Sequence, residues 1–313
     1  MEEKALRLSA VFLMILTAVS FVLLPKLPAL HTWEAEAREE RIAEEEFAQS
    51  QVAMQNLKIK EQNEAAGAKG ELSIRLPEGV TGDQIAVSSD YVTQTIRVEI
   101  PQADRTYFDS YPVLGNSDYI DGLSYTRQGE TGVIEVTTNK VYELQTEYDT
   151  QNFYFNFLTP HEVYDKVVVI DAGHGGRAVG ANKQGINEKD IDLAIVLKLK
   201  EIFDNSDENI GVYYTRTDDS NPTFDQRVQL ANKSDADLFI SIHNNSTRSG
   251  RMSGTSGTQV MYDETSEESR RFAQICLEEV TGRIGSRDKG LVEGDSIYII
   301  RTSEVPVALI EVG

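Results

Sequence analysis

The chain is short of cysteine, histidine and positive charge, and each shortage narrows what it can do. Cys276 is the only cysteine, so no intrachain disulfide can form, and this alone decides no compartment. Lys and Arg number 30 against 51 Asp and Glu, a formal net charge of −21. Nucleic acid is thereby disfavoured as a partner, because its phosphates would be repelled. Tight docking on an anionic membrane or an anionic wall polymer is disfavoured for the same reason. The H-E-x-x-H helix and the Cys-based zinc motifs are missing. The Gly175-Gly176 pair lacks both the G-x-G-x-x-G pattern and a Lys-Ser/Thr ending. There are only 4 His, so the placing of each carries weight.

Long apolar runs are also scarce. The exception is Leu8 to Leu24, broken only by Ser9, Thr17 and Ser20, with Lys4 and Arg7 before it and an acid-rich stretch after it. At about 1.5 Å per residue such a run just crosses a hydrocarbon core of roughly 30 Å. The basic flank places the N-terminus in the cytoplasm and the rest outside. Residues 1–32 therefore read as a cytoplasmic tip and a single-pass membrane anchor. Ala35-Glu36-Ala37 has the A-x-A form of a signal cleavage site, but it lies well beyond the run. Cleavage would make the protein secreted; otherwise the bulk of it stays tethered outside a bacterial cell membrane.

Residues 33–70 are rich in Ala, Glu, Gln and Lys, which favour helix. They read as a helical or disordered stalk that ends in Gly67-Ala68-Lys69-Gly70. From 71 to 162 the texture turns to short alternating segments such as Thr95-Ile96-Arg97-Val98-Glu99-Ile100 and Asn152-Phe153-Tyr154-Phe155-Asn156-Phe157. Period-two alternation of this kind predicts half-buried strands and a small all-β domain. It has no cluster suited to catalysis, and His161 at its exit reads as a linker residue.

From 163 to 313 strands and helices alternate. Strands are expected at Lys166–Ile170, Val212–Thr215, Leu238–Ile242, Thr258–Tyr262, Ser296–Ile300 and Val307–Val312. Helices are expected at Ile191–Phe203, at Thr223–Asn232 with Thr223 as its cap, and at Ser266–Ile284. This order predicts an α/β domain with a largely parallel mixed sheet flanked by helices. Ligands in such sheets gather beyond the carboxyl ends of the strands.

Lys166-Val-Val-Val-Ile-Asp-Ala-Gly-His174-Gly-Gly176 runs off the first strand onto that rim, and His243 closes the strand Leu238–Ile242 on the same rim. Glu188 starts the helix after the first strand, within reach. A His, Glu, His set with an open fourth position suits catalytic zinc. Glu311 is a lone acid inside the apolar strand Val307–Val312, expensive to bury without a partner or a role. Each residue has a plainer reading: a hydrogen-bonded loop His, a first-turn helix acid favoured by the macrodipole, an edge-strand charge turned to solvent.

The ordered motifs go further. Val167–Gly176, Gly185–Asp190, Thr215–Asp219, Gln226-Arg227 with Ala231-Asn232, Ala236–Asn245 and Val305–Gly313 together resemble the zinc-dependent N-acetylmuramoyl-L-alanine amidases with an amidase type 3 catalytic domain. The resemblance covers about residues 164–313. It implies Zn2+ held by His174, Glu188 and His243, Glu311 as the catalytic glutamate, and Asn245 shaping the substrate groove. It implies peptidoglycan as substrate, cut at the amide between the lactyl group of N-acetylmuramic acid and the L-Ala of the stem peptide. It also implies a further loop and closing helix beyond Gly313, and an acidic residue where Arg177-Ala178-Val179-Gly180 stands. Residues 71–162 loosely resemble the wall-binding AMIN domains that precede such catalytic domains. Two other readings stay open: a tethered module that binds peptidoglycan without cutting it, and another zinc hydrolase of the wall, a peptidase or deacetylase. No activator or division partner is named by any of these residues.

Overall fold

A computed structural model describes residues 27–61, 69–245 and 256–313, with side chains from Glu34 onward. The expected membrane run Leu8–Leu24 lies outside the described residues. Among those, no helix is long and apolar enough to cross a membrane.

The first described element is the helix Leu27–Ser50. The expected stalk is helical only to that point, and it is not a free spacer. Past Ser50 the chain forms two short strands, Gln55–Asn56 and Lys60–Glu61, which extend the edges of the two sheets of the β domain. Leu57 and Ile59 explain why, since both pack against the β core.

That β domain is two five-stranded sheets packed face to face. Thr95–Pro101 and Asn152–Leu158 show strict alternation of buried and half-buried residues along their length. One face of each strand supplies the core, where Val98, Ile100, Ile134 and Phe155 are fully buried. Phe155→Ala is expected to cost about 3–5 kcal/mol, as for other large-to-small changes in closed cores. Chemical denaturation checks this; a loss below about 1 kcal/mol would mean the site collapses freely.

The C-terminal half is built on a six-stranded mixed sheet. In spatial order its strands are Ile210–Tyr214, Lys166–Ala172, Leu238–Asn244, Val307–Val312, Thr258–Tyr262 and Asp288–Glu293. The first four run parallel, Thr258–Tyr262 is antiparallel to Val307–Val312, and Asp288–Glu293 runs parallel to Thr258–Tyr262. Val167, Val169, Phe239, Val307 and Ala308 are wholly buried, as expected of central strands covered by helices on both faces. One face takes the helices Glu188–Asp204 and Glu267–Ile284, whose Val196, Ala273 and Leu277 join Ile170, Ile242 and Ile310 in one core. The helix Phe224–Lys233 covers the other face. It starts on a reciprocal cap, with Gln226 N–H donating to Thr223 Oγ1 and Thr223 N–H donating to Gln226 Oε1.

One expected strand is wrong. Ser296–Ile300 does not pair in the sheet; Tyr298–Arg301 is a single helical turn that buries Ile299 and Ile300. The edge position is taken instead by Asp288–Glu293, with no fully buried residue. A run of β-formers lost to local packing, while a polar segment gained a place through backbone pairing with its neighbour.

Candidate metal centre

His174 lies two residues beyond the strand Lys166–Ala172, in a turn with φ of +57°. This left-handed conformation is uncommon for a residue with a side chain and is held only where the surroundings demand it. The surroundings here are a buried ionic network. Arg227 donates from Nη1 to Asp171 Oδ1 at 2.6 Å and to the Ala172 carbonyl at 2.7 Å, and from Nη2 to the His174 carbonyl at 2.7 Å. Arg216 donates to the Ala172 and Gly173 carbonyls at 3.0 and 2.6 Å. Thr215 and Ser241 hydroxyls donate to the two oxygens of Asp171. Burial alone would raise the Asp171 pKa. The Arg227 charge and these hydroxyls outweigh it and hold the carboxyl down at about 2. The carbonyls around the His174 turn are therefore clamped by two guanidinium groups, of which that of Arg227 is itself anchored on the Asp171 carboxylate.

Glu188 is the first residue of its helix and only 7% exposed. Its Oε2 accepts from Ala181 N–H at 2.8 Å and its Oε1 from Asn244 N–H at 3.0 Å. Oε1 also stands 3.3 Å from His174 Nε2 and 3.4 Å from His243 Nδ1. The two imidazoles cross edge-to-face with centroids 4.8 Å apart. His243 sits near the end of Leu238–Asn244, opposite Glu311 in the parallel register, so both project from the same sheet face. Glu311 is half-buried and lines the same cavity of about 460 Å³ as His174, Glu188 and His243. Burial pushes its carboxyl pKa up, against the pull of the His243 charge.

Asn245 falls elsewhere. Its side-chain amide is turned to the Gly257 carbonyl at 3.1 Å, and Asn244 lines the cavity instead. Asp192 was not anticipated. It lies one helical turn after Glu188, on the same helix face, and is fully buried. Its Oδ1 accepts from Asn244 Nδ2 at 2.6 Å. The i, i+4 spacing of two acids in a mostly apolar helix was the signal available in the sequence.

The donors fit a divalent cation. Ligand atoms of His174, Glu188, Asp192 and His243 all lie within 4.8 Å of one another. Asp192 Oδ2 is a buried oxygen with no hydrogen-bond partner among the described residues. With neutral imidazoles the group carries net negative charge in a largely buried setting, which a cation would balance. The cradle is also cut to shape. A Cβ on Gly180 would lie 2.6 Å from the His174 ring and 2.7 Å from Glu188 Oε2, and one on Gly173 would strike the His243 ring. His174→Ala should abolish metal retention, read as metal per mole of protein after dialysis. Unchanged content would remove His174 from the ligand set.

Residues 168–313 match the sequence family described as N-acetylmuramoyl-L-alanine amidase, Amidase_3. The Bacillus subtilis (strain 168) protein YqiI is 39% identical over 154 residues, covering 47% of this chain and 69% of that protein. The chain belongs to the N-acetylmuramoyl-L-alanine amidase family. Its amidase domain is also similar to the N-acetylmuramoyl-L-alanine amidase CwlM of Bacillus licheniformis, 31% identical over 146 residues and covering 47% of this chain. Of CwlM's own length the match covers 55%. A solved N-acetylmuramoyl-L-alanine amidase from Clostridium difficile 630 is 33% identical, with a TM-score of 0.44 over 47% of this chain and 78% of that one.

Proposed function

We propose that the amidase domain hydrolyses the amide between the lactyl group of N-acetylmuramic acid and the L-alanine of the stem peptide in peptidoglycan. The observation that carries this reading is the convergence of His174, Glu188 and His243 at 3.3–3.4 Å, with Glu311 on the same cavity, inside an amidase-family domain. His174, Glu188 and His243 would hold zinc, which when bound supplies Lewis acidity that polarises a carbonyl and acidifies water.

The chain's own groups do the rest. Glu311 takes a proton from the attacking water and passes it to the departing alanine nitrogen. Its raised pKa suits a carboxyl that must hold the proton between the two transfers. Asn244 N–H and Ala181 N–H each donate to one oxygen of the Glu188 carboxylate and so fix its orientation toward the imidazoles. The Arg216 and Arg227 clamp holds His174 in its left-handed turn, so little reorganisation is needed when substrate arrives.

We further propose that the β-sandwich is an AMIN-like wall-binding module, and that Leu8–Leu24 tethers the chain to the outer face of a cell membrane. Support for the tether is the length and flanking charge of that run. Mass spectrometry of purified peptidoglycan after digestion tests the activity. Free stem peptides beginning with L-Ala are expected. Shortened peptides, lost acetyl groups or an unchanged polymer would overturn it in favour of a peptidase, a deacetylase or a binding module.

A further inference from the structure

The helix Leu27–Ser50 places one face on the mouth of the candidate site. Glu36, Glu39, Glu40, Ala43 and Glu46 follow the three- and four-residue spacing of a single helix face. With Ile42 they are the covered positions of this stretch, whereas Glu34, Arg38, Arg41, Glu44 and Glu45 are exposed. Ala43, at the centre, is only 3% exposed, and its small side chain lets the helix backbone come close.

Each acid on that face has a partner on the rim. Glu39 Oε1 is 3.1 Å from His174 Nδ1, the ring nitrogen that Glu188 does not meet. Glu36 accepts from Tyr298 N–H at 2.8 Å and lies 3.5 Å from Arg301. Glu40 accepts from Phe224 N–H at 2.6 Å. Glu46 accepts from the Arg177 backbone and guanidinium at 3.0 Å and from Asn221 at 3.1 Å. Ala35, Glu36 and Glu39 thus line the same cavity as His174, Glu188, His243 and Glu311.

We propose that this acidic helix is an intramolecular inhibitor: it occupies the groove that a peptidoglycan strand must enter, with Glu39 seated on His174. This rests on the amidase reading above. A cavity of about 460 Å³ roofed by a helix has room for a small ligand, but a polymer has to lie across the rim where the helix now sits. The rim offers backbone N–H groups and guanidinium groups, so an acidic ligand suits it. The attachment is mostly polar, with four carboxylates set around the small Ala43, and burial pushes the Glu36 and Glu40 carboxyls up. An interface of that kind releases more readily than a hydrophobic one, so the cover can open without unfolding either part.

The test uses the full chain and its Glu36→Gln/Glu39→Gln/Glu46→Gln variant, both loaded with zinc. Two rates are read: release of L-Ala-ended peptides from intact peptidoglycan, and loss of zinc to excess chelator. The variant is expected to gain about tenfold in both, the factor reached on full release when the open form is about one molecule in ten, with zinc content at the start unchanged. Equal rates in the two proteins would overturn the proposal. Slower hydrolysis, whatever the stripping rate, would also overturn it, making Glu39 a positioning residue for His174. Faster stripping with no hydrolysis by either protein would uphold the cover and refute the amidase reading.

Discussion

Glu311→Gln is expected to lower turnover on peptidoglycan by about 10²–10⁴-fold, the range that positioned proton transfer contributes, while zinc content stays at the level of the parent. The reasoning is geometric. Glu311 stands beside His243 on the neighbouring parallel strand and on the cavity wall. An amide of the same shape fills that place but can neither take a proton from water nor return it to nitrogen. Because Glu311 is not in the cluster of donor atoms within 4.8 Å, metal retention should not follow activity down. Activity within about threefold of the parent would remove the residue from the chemistry. Joint loss of metal and activity would instead make Glu311 part of the metal's support. The comparison is cleanest in the variant with its helix released, where access does not limit the rate.

The second large effect is on stability. Arg227→Ala should destabilise the amidase domain by about 3–5 kcal/mol, the usual result of removing one partner of a buried pair. Arg227 and Asp171 side chains are 2% and 1% exposed, and their shortest contact is 2.6 Å. Without the guanidinium, Asp171 keeps only hydroxyl donors, the His174 carbonyl loses its donor, and the Ala172 carbonyl keeps only Arg216. The pH dependence gives a separate signature. The Asp171 pKa, about 2 in the fold, lies below the unfolded value of about 3.9. Its contribution is therefore fully present above pH ~4 and lost as pH falls through about 2. In Arg227→Ala that folded pKa rises, so acid unfolding should begin at higher pH. Denaturant titrations at pH 7 and at stepwise lower pH measure both. A loss under about 1 kcal/mol with an unmoved acid limb would mean the network is dispensable.

Much of this was legible along the chain, for a reason visible in particular residues. Strands buried on both faces must be apolar, so Lys166–Ala172 and Leu238–Asn244 announced themselves, and the polar residues just past them marked the rim. The reading failed where apolar content and strand pairing part company. Asp288–Glu293 is an edge strand with little apolar signal, and Tyr298–Arg301 is a helical turn made of β-formers. Arg216, Arg227 and Asp171 stood inside recognisable motifs, yet their joint role depends on contacts between positions 43 to 56 residues apart.

The sequence by itself determined the succession of a β region and an α/β region, the placing of the candidate metal donors His174 and His243 on one sheet rim and the family to which the chain belongs. These follow from local patterning, since periodicity and strand ends are properties of neighbouring residues. Only the tertiary structure decided what Leu27–Ser50 does. A helix of Glu, Ala and Arg reads as solvated at every position, because nothing in its own composition says which face meets a partner. Glu39 meets His174 across 135 residues of chain, and that contact turns an apparent stalk into a cover over the site.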